Sequence, residues 1–146
     1  MRKGQISIDL LLTAVVAIIV IAAIGGLVTN FRTAQEKISA QTQLEEITQK
    51  TASFITAAQA LEGIKFNITY QVGKINYADE NGNNKTVYPK MSINADKNVL
   101  VAAIQLPSPQ GKETINSKSA IYYNTAKTIV NTTETETNGK IVIEYG

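Results

Sequence analysis

The sequence predicts an α+β protein, in which a long N-terminal α-helix, apolar in its first half, packs on a small C-terminal antiparallel β-sheet domain. Three observations support this class. The run from Leu10 to Val28 carries no charge, apolar residues continue at helical spacing as far as Leu61, and strict alternation begins at Ile64. The chain has 146 residues, enough for one modest domain beside such a helix. We therefore assign the helix to residues 5–62 and the β domain to residues 63–146.

The uncharged run has the length of a membrane span. At about 1.5 Å per residue, a helix from Leu10 to Val28 crosses roughly the 30 Å hydrocarbon core of a bilayer. Because backbone groups in lipid must be satisfied within the segment, it is helical if it enters a membrane. Arg2 and Lys3 precede the run, which predicts a cytoplasmic N-terminus and an exported C-terminal part. A secretory signal peptide and a simple anchor are the alternatives, although a signal peptide carries its cleavage site after the apolar run.

Beyond Val28 the helical pattern continues without a proline, which predicts one helix as far as Glu62. Gly63 follows the last periodic residue and is typical of a helix end. We expect residues 6–28 to be buried in lipid or among other helices, and the amphipathic residues 29–62 to lie against the β domain. The expected buried stripe is Leu27, Phe31, Ala34, Ile38, Leu44, Ile47, Phe54, Ala58 and Leu61, with Gln41 and Thr51 in two gaps.

The C-terminal part reads as a series of strands. Apolar and polar residues alternate from Ile64 to Val72, which is typical of a half-buried strand. Val99–Leu106 is almost continuously apolar, so we expect it at the centre of a sheet, covered by the helix. The other predicted strands are Ile75–Tyr77, Val87–Ile93 with Pro89 at an edge or bulge, Ala120–Tyr123, Thr128–Val130 and Lys140–Tyr145. Predicted connections are a polar turn over Asp79–Asn84 and a loop over Pro107–Gly111.

Composition excludes several classes of function. The absence of cysteine excludes a disulfide-stapled fold, and the absence of histidine removes the commonest general base and metal ligand. Removal of Arg2 and Lys3 would leave twelve of the fourteen basic residues against twelve acidic ones, and such a balance gives no electrostatic footprint for nucleic acid. The turn at Asp79 does not match a calcium loop, because its twelfth residue is Lys90 and not Glu. We expect no catalytic, cofactor-binding or metal-binding residues, and no enzyme.

Asp9 is the only acidic residue close to the apolar run. A carboxylate within a spanning helix costs about 2.5–3.5 kcal/mol at the centre and less near the interface. One interpretation places Asp9 in the headgroup region, where the helix dipole favours an anion. The other is that Asp9 needs a cationic partner.

The segment Lys3-Gly4-Gln5-Ile6-Ser7-Ile8-Asp9 resembles the class III signal peptide of archaeal type IV pilin-like proteins. The resemblance implies that a prepilin peptidase removes residues 1–4 by cleaving between Gly4 and Gln5. Asp9 then becomes the fifth mature residue, where the family usually carries Glu. In that family this acid is thought to pair with the new amino group of a neighbouring subunit. Besides Asp for Glu, the sequence departs from the family pattern at Thr13, where Leu is expected.

The resemblance also implies a function. The chain is expected to be a structural subunit, a pilin, of a type IV pilus-like surface filament that serves adhesion. Its partners are copies of itself in a helical filament, the peptidase and the assembly machinery, and its location changes from membrane-inserted precursor to extracellular filament. Two alternatives are an uncleaved, membrane-anchored surface binding domain, and a minor pseudopilin of a secretion or uptake machine.

Three N-x-S/T sequons lie in the expected exported part, at Asn67, Asn84 and Asn131. Asn67 falls on the polar face of its predicted strand, and Asn84 falls in the predicted turn. Since sequons arise easily in a chain rich in Asn and Thr, each alone is a weak signal. Export makes N-glycosylation chemically possible, and we expect at least one of the three to be modified.

Overall fold

A computed structural model of the chain describes residues 2–61, 63–79, 82–108, 111–124, 126 and 128–145, with side chains from residue 8 onward. It has a long N-terminal helix and a small antiparallel β domain, which confirms the α+β class. The helix α1 spans Arg2–Gln59 and a one-turn helix α2 spans Thr135–Asn138. The strands are β1 Phe66–Gln71, β2 Ile75–Ala78, β3 Asn84–Val87, β4 Lys90–Asn94, β5 Val99–Ser108, β6 Gly111–Ala120, β7 Thr128–Asn131 and β8 Lys140–Tyr145.

The chain forms two compact units, Met1–Gln35 and Glu36–Gly146. The first contains the apolar half of α1. In the second, the strands form three antiparallel sheets with the orders β1-β8-β7, β2-β3 and β4-β5-β6. The central position predicted for Val99–Leu106 is confirmed, because β5 lies between β4 and β6.

The ends of α1 differ from the prediction. Its backbone is helical from Arg2 and not from Gln5, since no proline or capping residue interrupts the leader. The predicted last residue, Glu62, lies outside the described residues, and the helix ends at Gln59. There the Ala60 N–H donates to the Ala57 carbonyl at 3.0 Å, so that the last turn tightens. Gly63 then takes a positive φ of 98°, which favours glycine, as expected of a helix stop.

Two strand predictions and one turn prediction were wrong. Val87–Ile93 is not one strand, because Pro89 is buried between β3 and β4 and has no N–H for a sheet ladder. Ala120–Tyr123 is not a strand either, since only Ala120 belongs to one, as the last residue of β6. Asn84 does not lie in the turn but opens β3, paired with Ala78. The strand β6 itself was missed, because its residues are mostly polar and its formation depends on pairing with β5 over its whole length.

One core joins α1 to the sheets within the second unit. Leu44 and Ile55 of the helix are fully buried together with residues of β5 and β8, such as Leu100 and Ile143. The helix presents small residues between these two large ones, which allows the strands to approach closely. The buried helix positions are Ala40, Leu44, Thr48, Thr51, Ala52, Ile55, Ala58 and Gln59.

The predicted stripe is confirmed at Leu44, Thr51 and Ala58, which are buried, and at Ile47 and Phe54, which pack on the core, but it is wrong at Ile38. Ile38 was expected to face the β domain, yet 66% of it is exposed. At about 100° per residue, Ile38 lies roughly 120° around the helix from Leu44, outside the buried face. Leu61 and Phe31 are exposed as well.

Polar side chains of α1 complete the open edge of β2. The Gln43 side-chain amide donates to the Asn76 carbonyl at 2.9 Å and accepts from the Asn76 N–H at 3.0 Å. The Ala78 N–H donates to Glu36 Oε2 at 3.1 Å. Glu36 and Gln43 are both half-buried. The helix thus satisfies backbone groups that an edge strand leaves unpaired.

Replacing Leu44 by Ala tests the corrected helix face. We expect the free energy of unfolding of the β domain to fall by about 2–5 kcal/mol, because the substitution leaves a cavity in the core. The matched control is Ile38→Ala, which removes exposed atoms and is expected to change stability by about 0.5 kcal/mol or less. Denaturant unfolding of the full chain in detergent micelles, followed by near-UV circular dichroism, measures both. Equal losses in the two variants would contradict the assignment of the buried face.

Candidate assembly segment

The segment Ile8–Phe31 of α1 exposes large apolar side chains on every side of the helix. Asp9 is its only charged residue. The exposed large apolar residues are Ile8, Leu10, Leu11, Leu12, Val15, Val16, Ile18, Ile19, Val20, Ile21, Ile24, Leu27, Val28 and Phe31. We call this stretch the apolar segment. A helix that is apolar all round is typically covered by lipid or by other helices.

By length and composition, the helix can cross a membrane, and a signal sequence near an N-terminus has the same properties. The threonines of the segment are compatible with surroundings that exclude water. The Thr13 hydroxyl donates to the Asp9 carbonyl at 2.8 Å, and the Thr29 hydroxyl donates to the Gly25 carbonyl at 3.0 Å. Each hydroxyl donor is thus satisfied within the helix, as burial in lipid or between helices requires.

Asp9 itself is exposed. Among the side chains that the structure describes, from residue 8 onward, none places a cation within ion-pair distance of its carboxylate. The backbone of Gly4 and Gln5 lies in α1, and side chains are described only from residue 8 onward. Cleavage between Gly4 and Gln5, and the pairing of Asp9 with an amino group, stay predictions.

All three sequon asparagines are exposed; Asn67 and Asn131 lie on one sheet and Asn84 lies on another. Asn67 of β1 and Asn131 of β7 flank β8, opposite Glu144 and Val142 respectively. The Asn67 side-chain amide donates to Glu144 Oε1 at 3.1 Å, and Asn131 Oδ1 accepts from the Thr133 N–H at 2.9 Å. The positions allow access to each amide, and glycosylation of these sites stays a prediction.

Other candidate chemistry is sparse in the described part of the chain. No group of three or more acidic, histidine or cysteine residues there is arranged to hold a metal ion. Asp79 forms part of the turn between β2 and β3, where its Oδ1 accepts from the Asn83 N–H at 2.8 Å. Its neighbours at positions 80 and 81 lie outside the described residues.

A scan against models of protein families, a search of curated proteins and a search of solved structures each found no match to this chain.

Two lysines introduced in the middle of the apolar segment test membrane insertion. We expect Ile19→Lys/Val20→Lys to raise the cost of insertion by about 5–7 kcal/mol, twice the cost of one central lysine, and to abolish stable membrane association. Flotation of the full chain with lipid vesicles measures this effect. The control, Ile38→Lys/Thr42→Lys, adds the same charge at exposed positions beyond the segment and is expected to float like the wild type. If the first variant floated normally, the segment would not be the membrane contact.

Proposed function

We propose that this chain is the structural subunit of a type IV pilus-like filament on an archaeal cell surface. The observation that carries the proposal is the conjunction of Lys3-Gly4-Gln5 with the apolar segment immediately behind it. A cut between Gly4 and Gln5 removes Arg2 and Lys3. The apolar helix then begins close to the new N-terminus, with no cationic leader in front of it. Such a helix is suited to leave the membrane and bundle with identical helices.

Burial of the apolar segment among subunits drives assembly in this proposal. The apolar area that would otherwise contact water is large, because exposed apolar side chains cover all sides of the helix. The same surface is repeated in each copy. In this mechanism the contacts are head-to-tail and their rotation does not close a ring, so that the assembly grows as a helical polymer. The β domain, which is already packed on Glu36–Gln59, forms the outer surface of the filament and makes the adhesive contacts.

Asp9 sets the register of neighbouring subunits in this mechanism. Buried in the filament core, its carboxylate needs a compensating charge, and the new α-amino group of Gln5 on an adjacent copy supplies one. A misaligned subunit would leave both charges buried without a partner, which is costly. Glycans at Asn67, Asn84 or Asn131 would coat the outer surface.

The uncleaved membrane anchor is the main competing function, and the mature N-terminus decides between the two. We expect mass spectrometry of the native protein to find an N-terminal peptide that begins at Gln5. Excess intact mass, mapped to the sequon peptides, would report glycans in the same experiment. A native chain that still begins at Met1 would contradict the filament proposal and favour the anchored domain.

Asp9→Asn tests the pairing of subunits. Because the substitution removes the charge but leaves the leader intact, we expect normal cleavage and at least about a tenfold loss of filaments sheared from cells that carry the assembly machinery, as counted by electron microscopy. Asp9→Glu keeps the charge and is expected to retain filaments. Asp96→Asn, an exposed acid next to β4, is the control for a neutralised carboxylate. Normal filament numbers from Asp9→Asn would contradict the pairing.

A further inference from the structure

A groove of about 900 Å³ is lined by residues of β2 to β6 and α2, and it contains no residue of the apolar segment. This volume is within the range of about 300–1,000 Å³ that is typical of ligand-binding clefts. Its walls combine lysines, tyrosines and uncharged polar side chains. The lining includes Tyr77, Asp79, Lys85, Tyr88, Lys90, Gln105, Lys112, Thr114 and Glu136.

The charge of the groove favours an anionic ligand. Three lysines against two carboxylates leave one net positive charge. The ammonium groups of Lys85 and Lys90 are each 3.9 Å from the nearest carboxylate oxygen, too far for a direct hydrogen bond. Lys112 forms no ion pair within the described part of the chain. All three lysines thus line the groove without a directly hydrogen-bonded carboxylate among the described residues.

One aromatic side chain of the groove, Tyr88, is held in a fixed position. The ammonium group of Lys74 lies 5.2 Å from the centroid of the Tyr88 ring. The same ring packs so closely on the backbone of Gly139 that a β-carbon there would collide with it. Gly139 has a φ of 66°, a conformation that favours glycine, so both the backbone and the ring fix this contact. Tyr88 therefore lines the groove in a position set before any ligand arrives.

Uncharged polar groups stand next to the lysines. Gln105 and Thr114 pair directly across β5 and β6, and Pro107 pairs with Lys112 one step along the same face. An amide, a hydroxyl and an ammonium group therefore occur side by side. A small inorganic anion would not use this amide or the tyrosine rings, and an apolar ligand would leave the lysines unpaired.

We propose that this groove binds an acidic oligosaccharide, such as a short chain of uronic acid residues. Sugar rings pack their C–H faces on aromatic side chains, their hydroxyl groups bond to amides and hydroxyls, and their carboxylates pair with lysines. The proposal goes beyond the proposed function, because binding by a single chain needs neither cleavage nor assembly. It assigns a specific class of ligand to the β domain.

Isothermal titration calorimetry of the full chain in detergent micelles tests the proposal, with an oligogalacturonide as probe. A neutral galactose oligomer of the same length and inorganic phosphate are the comparison ligands. We expect Lys85→Gln/Lys112→Gln to weaken binding of the acidic probe at least about tenfold. Lys97→Gln/Lys118→Gln removes two exposed lysines outside the groove and is expected to change binding less than about twofold. Gln105→Ala should weaken binding of the oligosaccharide several-fold without affecting phosphate.

Three results would overturn the proposal: no binding of the acidic probe to the wild type, equal losses in both lysine variants, or phosphate binding as tight as that of the oligosaccharide. Equal losses would indicate non-specific attraction, and tight phosphate binding would indicate a general anion site. Thermal unfolding of each variant controls for folding. If the chain assembled into filaments but did not bind the acidic probe, only the proposed ligand of the groove would be refuted. If the chain bound the probe but never assembled, only the proposed filament function would be refuted.

Discussion

The burial of one face of Glu36–Gln59 is the interaction on which the β domain depends. The three sheets have two or three strands each, too few to enclose a core without a further layer. Leu44 and Ile55 supply that layer, since they are fully buried with the inner residues of β5 and β8. A change in helix phase would move these residues out of the core and bring exposed residues such as Ile38 towards it. The helix is thus an internal component of the domain and not an appendage to it.

Polar side chains fix the position of the helix more sharply than apolar packing does. Gln43 makes two hydrogen bonds with the backbone of Asn76, much as a neighbouring strand would. Towards the end of α1, Gln59 Oε1 accepts from the Asn124 N–H at 3.3 Å and from the Thr128 hydroxyl at 3.0 Å. Because hydrogen bonds are directional and buried groups without partners are costly, these contacts select one register of helix against strand. Apolar contacts alone would tolerate small sliding.

Local periodicity explains which parts of the fold the sequence could predict. The uncharged run of α1 and the alternation in β1 and β8 are visible in short windows, and these elements were found. The buried face of the helix was found only in part. Leu44, Thr51 and Ala58 were predicted, whereas Ala40, Thr48 and Ala52 carry little apolar signal and the more conspicuous Ile38 is exposed. β6 was missed because it buries only Ile115 and Ser117 and takes its conformation from β5. The groove brings together residues from Tyr77 to Glu136, and no local pattern predicts such a non-local arrangement.

The strand order has a consequence for biosynthesis. β8 is the last strand in the sequence, yet it occupies the centre of its sheet, and β1 pairs with it from Phe66↔Tyr145 to Gln71↔Lys140. Neither β1 nor β7 has a sheet partner until the ribosome has made Lys140–Tyr145. Such long-range pairing folds slowly and leaves unpaired edges exposed in the meantime. If the β domain is exported while it is still being synthesised, it therefore enters the translocation channel before this sheet can form. A chain that ends before Lys140 lacks the central strand of the sheet.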